Sequence, residues 1–228
     1  ASGAGIYNRN ASPTFRNLVI RNNAATVSGG GMYNWGSSPA IINTVFKSNA
    51  VTSTSGSTVS GGAIFNGNAS APVLSNVNIV SNLVLSSGTE NGAGMYNENS
   101  SPKIYNSIFY KNIEQWSGAT VGADIQNTGN STPILKNSIT QTYSTGNTSD
   151  NNLIGANPLF TDVNNGNYTL QVGSPAIDAG DSNYIPSGVT LDLAGNSRLF
   201  GNNADMGVYE SQFNIPAPIK LVSFTAQK

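Results

Sequence analysis

One phrase recurs five times along this 228-residue chain, and it constrains the fold more than any other feature. It begins with two small residues, which are usually glycines. An apolar residue follows, then a residue that is usually aromatic, and last an asparagine. The five occurrences end at Asn8, Asn34, Asn66, Asn97 and Asn127. A period of about 30 residues is typical of structural units that stack on one another.

Two further asparagine columns follow each phrase. After a proline, one asparagine comes four residues later and another comes six residues after that. The second column is Asn17, Asn43, Asn76, Asn106 and Asn137, and the third is Asn23, Asn49, Asn82 and Asn112, with Tyr143 in the fifth place. Asparagine tolerates positive φ at corners, and stacked amides can hydrogen-bond along an axis. We therefore predict that all three columns are structural, as corners and ladders.

The segments between these markers favour short strands. Apolar residues show no sustained helical spacing, and Gly, Asn and Pro recur every few residues. Two columns are apolar throughout and are expected to point into a core: Ile6, Met32, Ile64, Met95 and Ile125, and Phe15, Ile41, Leu74, Ile104 and Leu135. About three strands per unit, buried by stacking, predict an all-β, right-handed parallel β-helix. We expect about five to six coils and a C-terminal capping segment.

Composition excludes several function classes. Only 9% of residues are charged and the net charge is −1, which gives no electrostatic basis for binding nucleic acid. The chain has no Cys and no His, so thiolate metal sites and Ser-His or Cys-His nucleophiles are excluded. It has no apolar run long enough for a membrane span. Low charge with abundant Ser, Thr, Asn and Gly suits an extracellular protein.

The pattern divides the chain into three parts. Residues 1–150 are the repeats, residues 151–212 contain the last coil and a cap expected to cover its open end, and residues 213–228 read as a linker and the first strand of a missing C-terminal module. The first coil already carries the complete repeat motif, with no capping segment before it. We therefore expect its open edge to be covered by upstream coils or by another copy of the chain. Head-to-tail stacking of copies would give a filament.

A segment of variable sequence lies between the third asparagine and the next glycines of each unit. Because it recurs at the same point of every coil, we expect these segments to form loops along one edge of the solenoid. Such an edge is a natural binding surface, although inert, solvated loops are the alternative.

Three stretches resemble known families. Gly61-Gly62-Ala63-Ile64, with the FxxN-type segments that end at Asn49 and Asn112, resembles the repeats of polymorphic outer-membrane proteins, which are β-helical surface adhesins. Residues 157–210, including Ser174-Pro175-Ala176-Ile177-Asp178-Ala179-Gly180, are similar to the "choice-of-anchor" β-helix proteins of bacterial surfaces. Residues 218–226 resemble the opening of the C-terminal module of type IX secretion cargo. These resemblances imply a secreted protein, anchored at a bacterial cell surface through the missing module, and they imply no catalytic residue.

The acidic residues of the cap are the candidates for chemistry. They are Asp178, Asp181, Asp192, Asp205 and Glu210, with Arg198 nearby in sequence. One interpretation is a Ca²⁺ or catalytic cluster, since β-helices also host lyase-like and glycosidase-like enzymes, and sugar cleavage uses paired carboxylates. The other interpretation is architectural: the aspartates cap turns beside glycines and Arg198 forms a buried pair with one acid. The second predicts no cofactor and no metal.

Aromatic residues are the candidates for ligand contact. Tyr7, Tyr33, Phe65 and Tyr96 follow an inward residue, so alternation turns them outward. They form either a ladder that grips a carbohydrate polymer or a small secondary core beneath the variable segments. Trp35 and Trp116 lie near or in those segments and are candidate single contacts.

Two functions therefore stay open. The first is a non-catalytic adhesin or structural stalk on the cell surface, whose partners are other surface proteins, glycans or, in a head-to-tail filament, copies of itself. The alternative is a polysaccharide-binding or polysaccharide-degrading β-helix that uses the cap carboxylates.

Overall fold

Successive units of the chain pair with one another residue for residue. In the computed structural model, which describes residues 1–54, 56–88, 90–116, 119–122, 124–142 and 150–213, Ile6 lies beside Met32 and Asn8 beside Asn34 in parallel strands. The same register continues through the later units. The chain is thus an all-β parallel solenoid, as the repeat predicts.

The strands are short, and among the described residues the only helical element is a 3₁₀ turn at Ser182–Tyr184. In chain order the strands are β1 (Ile6–Arg9), β2 (Thr14–Arg16), β3 (Val19–Arg21), β4 (Ala24–Ala25), β5 (Met32–Trp35), β6 (Ala40–Ile42), β7 (Val45–Lys47), β8 (Ala50–Ser53), β9 (Val59–Ser60), β10 (Ile64–Gly67), β11 (Val73–Ser75), β12 (Asn78–Val80), β13 (Leu83–Ser86), β14 (Glu90–Asn91), β15 (Met95–Glu98), β16 (Lys103–Tyr105), β17 (Ile108–Tyr110), β18 (Ile113–Trp116), β19 (Ala119–Gly122), β20 (Ile125–Thr128), β21 (Ile134–Lys136), β22 (Ile139–Thr140), β23 (Leu153–Ile154), β24 (Phe160–Asp162) and β25 (Asn167–Leu170).

Four main parallel sheets run along the solenoid, β9 pairs with β14 in a small fifth parallel sheet, and β24 pairs with β25 in an antiparallel one. Sheet A contains β1, β5, β10, β15 and β20; sheet B contains β2, β6, β11, β16 and β21; sheet C contains β3, β7, β12, β17, β22 and β23; sheet D contains β4, β8, β13 and β18, with β19 antiparallel to β18. The five strands of sheet A enclose about four complete turns, fewer than the five to six coils expected. Right-handed winding stays a prediction.

The fourth sheet corrects the expectation of about three strands per unit. Sheet D begins at the start of each variable segment, which was expected to be a loop. Its inward side chains, which include Val51 and Val84, form a small second core with Val59 and Ala93. The alternation of small apolar residues in these segments is brief, so neighbouring coils are needed to make them strands.

The main core lies between sheets A, B and C. Both predicted apolar columns belong to it, and Met32, Ile41 and Ile64 are completely buried. Phe46 and Phe109 of sheet C fill the space opposite them. Because every inward residue packs on its equivalents above and below, no unit has to bury its apolar face alone.

The two glycines of the phrase are required for different physical reasons. Gly61 has φ of +67°, a conformation that side chains strain. Gly62 has ordinary φ, but a Cβ there would lie 2.7 Å from the carbonyl oxygen of Leu83 in the neighbouring sheet D. The first glycine therefore makes the corner into sheet A, and the second allows the backbones to approach closely.

Two asparagine columns form hydrogen-bonded ladders. The amides of the first column bond in series from Asn8 to Asn127, each Nδ2 donating to the next Oδ1 at 2.8 Å. The third column does the same from Asn23 to Asn112, with distances of 2.9 to 3.0 Å. No member of either column has positive φ, which corrects the prediction that these two columns are corners, so their role is the ladder alone.

The second column is a corner and forms no ladder among the described hydrogen bonds, which corrects that part of the prediction. All five of its members have positive φ, between 45° and 57°. Four side chains donate outward to backbone carbonyls of the C-terminal segment, at Leu191, Asp205 and Gly207, Asp181 and Ala179. The left-handed backbone at the corner turns the side-chain amide away from the solenoid axis. There it can donate to the backbone carbonyls of a segment that covers the outside.

The C-terminal segment, residues 157–213, lies along the side of the solenoid, whereas the sequence suggested a cover over its end. Its Phe160, Leu170 and Met206 pack on the outward side chains of sheet C, which include Val45 and Ile108. Tyr184 stacks on Tyr105 of sheet B at 4.2 Å. The physical reason is that sheet C is apolar on both faces, so its outer face needs a cover.

No helix among the described residues is long and apolar enough to cross a membrane. The expected linker and first strand of a missing module, residues 213–228, fall outside the described residues from position 214 onward.

Candidate binding surface

The outer face of sheet A carries aromatic side chains from four successive coils. We call Tyr7, Tyr33, Trp35, Phe65 and Tyr96 the aromatic strip. Tyr7 and Tyr33 stack at 5.1 Å between ring centroids, Tyr33 and Phe65 stack at 4.8 Å, and both pairs are parallel within 9°. These separations match the spacing of strands in a sheet, so the parallel register of the repeat produces the stack.

Trp35 widens the strip to a second column. Its ring lies parallel to that of Tyr33, with centroids 6.3 Å apart. The next residue in its column is Gly67, and a Cβ at that position would lie 2.9 Å from the Trp35 ring. The absent side chain at Gly67 therefore leaves room for the indole to lie flat against the sheet.

Exposure changes along the strip. Phe65 and Tyr96 are buried, Tyr33 and Trp35 are half-buried, and Tyr7 is 53% exposed. Ring faces turned toward one another are occupied, so a ligand meets ring edges, tyrosine hydroxyls and the indole of Trp35. The strip thus combines the two expectations, since one end is a secondary core and the other is a surface.

Charged and hydroxyl groups border the exposed part. Burial raises the pKa of Tyr33, and the neighbouring Tyr7 and Glu98 act in the same direction, while Arg9 opposes them. The Tyr33 hydroxyl therefore remains a neutral hydrogen-bond donor at physiological pH. Such a combination of apolar rings, a hydroxyl and flanking charges is suited to hydroxylated ligands.

The backbone of Trp116 belongs to sheet D, whereas the aromatic strip lies on sheet A. Trp116 ends β18, in the register of Ser53 and Ser86, and its side chain lies outside the described residues. Its candidate role in binding stays a prediction.

The predicted acidic cluster in the C-terminal segment surrounds a buried arginine. Arg198 is 1% exposed, and its Nη2 donates to Glu210 Oε2 at 2.6 Å while Nη1 donates to the Gly207 carbonyl at 3.0 Å. Glu210 also accepts from the backbone N–H groups of Phe200 and Asp205, each at 3.0 Å. The partner of Arg198 is therefore Glu210, bound through one oxygen, and it joins two stretches of irregular chain.

The aspartates of this cluster hold turns. Asp178 accepts from the N–H groups of Asn202 and Asn203, Asp192 from Ala194, Asn196 and Glu210, and Asp205 from Asp178 and Ser211, at distances of 2.6 to 3.1 Å. No group of three or more acidic side chains in the described residues is arranged to hold a metal ion. Each of the three aspartates accepts at least one hydrogen bond from a backbone N–H group, which is the arrangement expected of residues that cap turns.

Burial raises the pKa of several carboxyl groups, and this makes stability depend on pH. The pKa of Glu210 rises from 4.5 to about 7 because burial and the nearby Asp205 outweigh Arg198, and burial also raises the pKa of Asp205 and Asp124. Between these folded-state values and the unfolded ones, the folded protein binds more protons, so its stability falls as pH rises. We expect the melting temperature, followed by circular dichroism, to decrease from pH 5 to pH 8; an increase over that interval would contradict the assignment.

Comparison of the chain with protein-family models, with curated proteins and with solved structures found no match.

Proposed function

We propose that this chain is a non-catalytic adhesin or structural protein, secreted and displayed on a bacterial surface, which contacts glycans through the aromatic strip. The observation that carries the proposal is the stack on sheet A. Parallel strands hold Tyr7, Tyr33 and Trp35 in fixed positions on a rigid face, so little side-chain freedom is lost on binding.

The C-terminal segment supports the non-catalytic part of the proposal. The acid oxygens of Asp178, Asp192 and Asp205 accept hydrogen bonds from backbone N–H groups and stabilise turns. Catalysis at these residues would require them to exchange those bonds for a substrate. Polysaccharide binding without cleavage is the reading that the aromatic strip favours, and polysaccharide cleavage is the alternative.

Loss of the exposed rings is expected to weaken binding. The protein is mixed with insoluble cellulose, chitin and xylan, and the fraction left in solution is measured. For the polysaccharide that binds, Tyr33→Ala with Trp35→Ala is expected to raise the dissociation constant at least about tenfold, since aromatic anchors commonly contribute about 2 kcal/mol. Val172→Ala, at an exposed apolar residue of the C-terminal segment, is the control and should bind normally.

Two outcomes would overturn the proposal. One is unchanged binding in the double variant when its melting curve shows a folded protein. The other is release of reducing or unsaturated sugar ends from any of the polymers, which would make the chain an enzyme.

The proposal includes self-association. In the described chain β1 to β4 pair on one side only, and the edge of a parallel sheet accepts a further strand. A second copy in head-to-tail orientation would supply it, and repeated head-to-tail contact would give a filament.

A further inference from the structure

The outer face of sheet A has a second outward column beside the stacked tyrosines. In this column Arg9, Trp35 and Gly67 pair in register, and the column continues to Glu98 in β15. Both faces of the Tyr33 ring are covered by the rings of its neighbours in the first column. Trp35, by contrast, lies between an arginine and a glycine, so no ring of its own column covers the indole.

The guanidinium of Arg9 is the charged group nearest to the accessible rings in this column. Arg9 is exposed, and its strand lies about 4.8 Å from that of Trp35. Its positive charge extends to the hydroxyl of Tyr33, where it opposes the rise in the pKa. Within the part of the chain that the structure describes, its side chain forms no ion pair and no hydrogen bond. The N–H donors of Arg9 are therefore available to an anion from outside.

The charged residues are distributed unevenly along the solenoid. The sequence before Glu90 has no acidic residue and four cationic ones, which are Arg9, Arg16, Arg21 and Lys47. Most acids of the chain belong to the C-terminal segment, which packs on sheets B and C. The exposed end of the aromatic strip on sheet A therefore lies in a positive local field, although the net charge of the chain is −1.

Glu98 gives the strip an electrostatic direction. It lies three strands from Arg9 in the same column, which is a separation of about 14 Å. An anionic group is attracted to the Arg9 end and repelled from the Glu98 end. The rings nearest to Glu98 are buried, whereas Tyr7 and Trp35 beside Arg9 are accessible. Charge and accessibility therefore favour the same end of the strip.

We propose that the glycan bound by the aromatic strip is acidic. A carboxylate or sulfate group of the glycan pairs with the guanidinium of Arg9, and the C–H face of the sugar ring packs on Trp35. The inference rests on the proposed function, because it names the ligand class of the same surface. Arginine suits both groups, since its paired N–H donors match two oxygens of one anion.

The test compares polymers that share a backbone and differ in charge. Dissociation constants of the purified chain are measured for polygalacturonate and its methyl ester, and for dextran sulfate and dextran. We expect the charged member of at least one pair to bind roughly threefold to tenfold more tightly than its neutral partner, the effect of an exposed charged hydrogen bond. The pair that shows this preference identifies the group as carboxylate or sulfate. Added salt should reduce the preference.

Variants of two arginines locate the preference on the strip. Arg9→Gln is expected to abolish it, and Arg9→Lys, which keeps the charge without the paired donors, is expected to retain part of it. Arg21→Gln is the matched control, because it removes the same charge from an exposed residue of the same coil on sheet C. This control should keep the preference of the original protein. Melting curves establish that all three variants fold.

Two results would overturn the inference and leave the proposed function in place. One is equal binding of the charged and neutral members of both pairs, or binding of cellulose, chitin or xylan alone. The other is an equal loss of preference in Arg9→Gln and Arg21→Gln, which would mean that anions respond to overall charge. Binding of the acidic polymer that persists unchanged in a folded variant with Tyr33→Ala and Trp35→Ala would instead contradict the proposed surface itself, as would failure of every polymer to bind.

Discussion

Replacing Asn82 by alanine is expected to lower the free energy of unfolding by about 3–5 kcal/mol, because several buried hydrogen-bonding groups lose their partner at once. Asn82 is completely buried. Its Nδ2 donates to Asn112 Oδ1 at 2.9 Å and to the carbonyls of Phe46 and Val80, and its Oδ1 accepts from the backbone and side chain of Asn49 at 3.0 Å. The measurement is chemical denaturation of the variant beside the original protein.

Two further variants make this prediction specific to the ladder. Asn8→Ala removes a side chain whose one ladder bond is to Asn34, so about 1 kcal/mol is expected. Asn202→Ala, at an exposed position, should stay within about 0.5 kcal/mol of the original protein. If all three variants lose the same amount, the ladder contributes nothing beyond the general effect of substitution.

The solenoid could be predicted from the sequence because residues of the same type recur at the same position of each repeat, which sets the register between neighbouring strands. The apolar column from Ile6 to Ile125 and the asparagine column from Asn8 to Asn127 each repeat at every coil, and parallel stacking superimposes them. Sheet D was missed because its strands start in the variable segments, where no single column is constant. In these segments it is pairing with the neighbouring coils, rather than the local sequence, that stabilises the strand conformation.

The last hydrogen bond of the third ladder could not be predicted by comparing equivalent positions of the repeats. Tyr143 stands where a fifth asparagine is expected, so the asparagine pattern ends there in the sequence. Asp124, in the column of Gly31 and Gly94, places its carboxylate there instead, and it accepts from Asn112 Nδ2 at 2.8 Å and from Thr140 Oγ1 at 3.0 Å. An acid in a column of small residues was the available clue, since a buried carboxylate needs donors nearby.

The positions of the aromatic strip could be predicted from the sequence in part, whereas the contacts of the C-terminal segment could not. Alternation in β1 and β5 correctly turned Tyr7 and Tyr33 outward, whereas their burial depends on neighbouring side chains such as Trp35. The C-terminal segment has no repeat, so its contacts with distant corners such as Asn43 and Asn106 could not be read from spacing. Residue type drew attention to Arg198 and the acids of this segment, but it left open whether they hold turns or form a metal or catalytic cluster.

Arg198→Ala is expected to destabilise the C-terminal segment strongly, by about 3–5 kcal/mol at pH 8, since a buried acid would lose its counter-charge. The lost bonds are those to Glu210 Oε2 and to the Gly207 carbonyl. Because this segment covers the apolar outer face of sheet C, partial unfolding should expose the surface around Val45 and Ile108. Denaturation followed by binding of a hydrophobic dye measures both effects.

The dependence of this loss on pH separates charge from packing. Without Arg198 the pKa of Glu210 should rise further above about 7, because only backbone hydrogen bonds, such as that from Asp205, then oppose burial and the Asp205 charge. At pH 5 Glu210 is protonated in the variant and carries no unpaired charge, so the destabilisation should be smaller there than at pH 8. A loss of equal size at both values would mean that Arg198 acts through the shape of its side chain and its bond to Gly207. Glu210→Gln in the same background should reduce the difference between the two pH values, and the part that remains belongs to Asp205, whose pKa Arg198 also lowers.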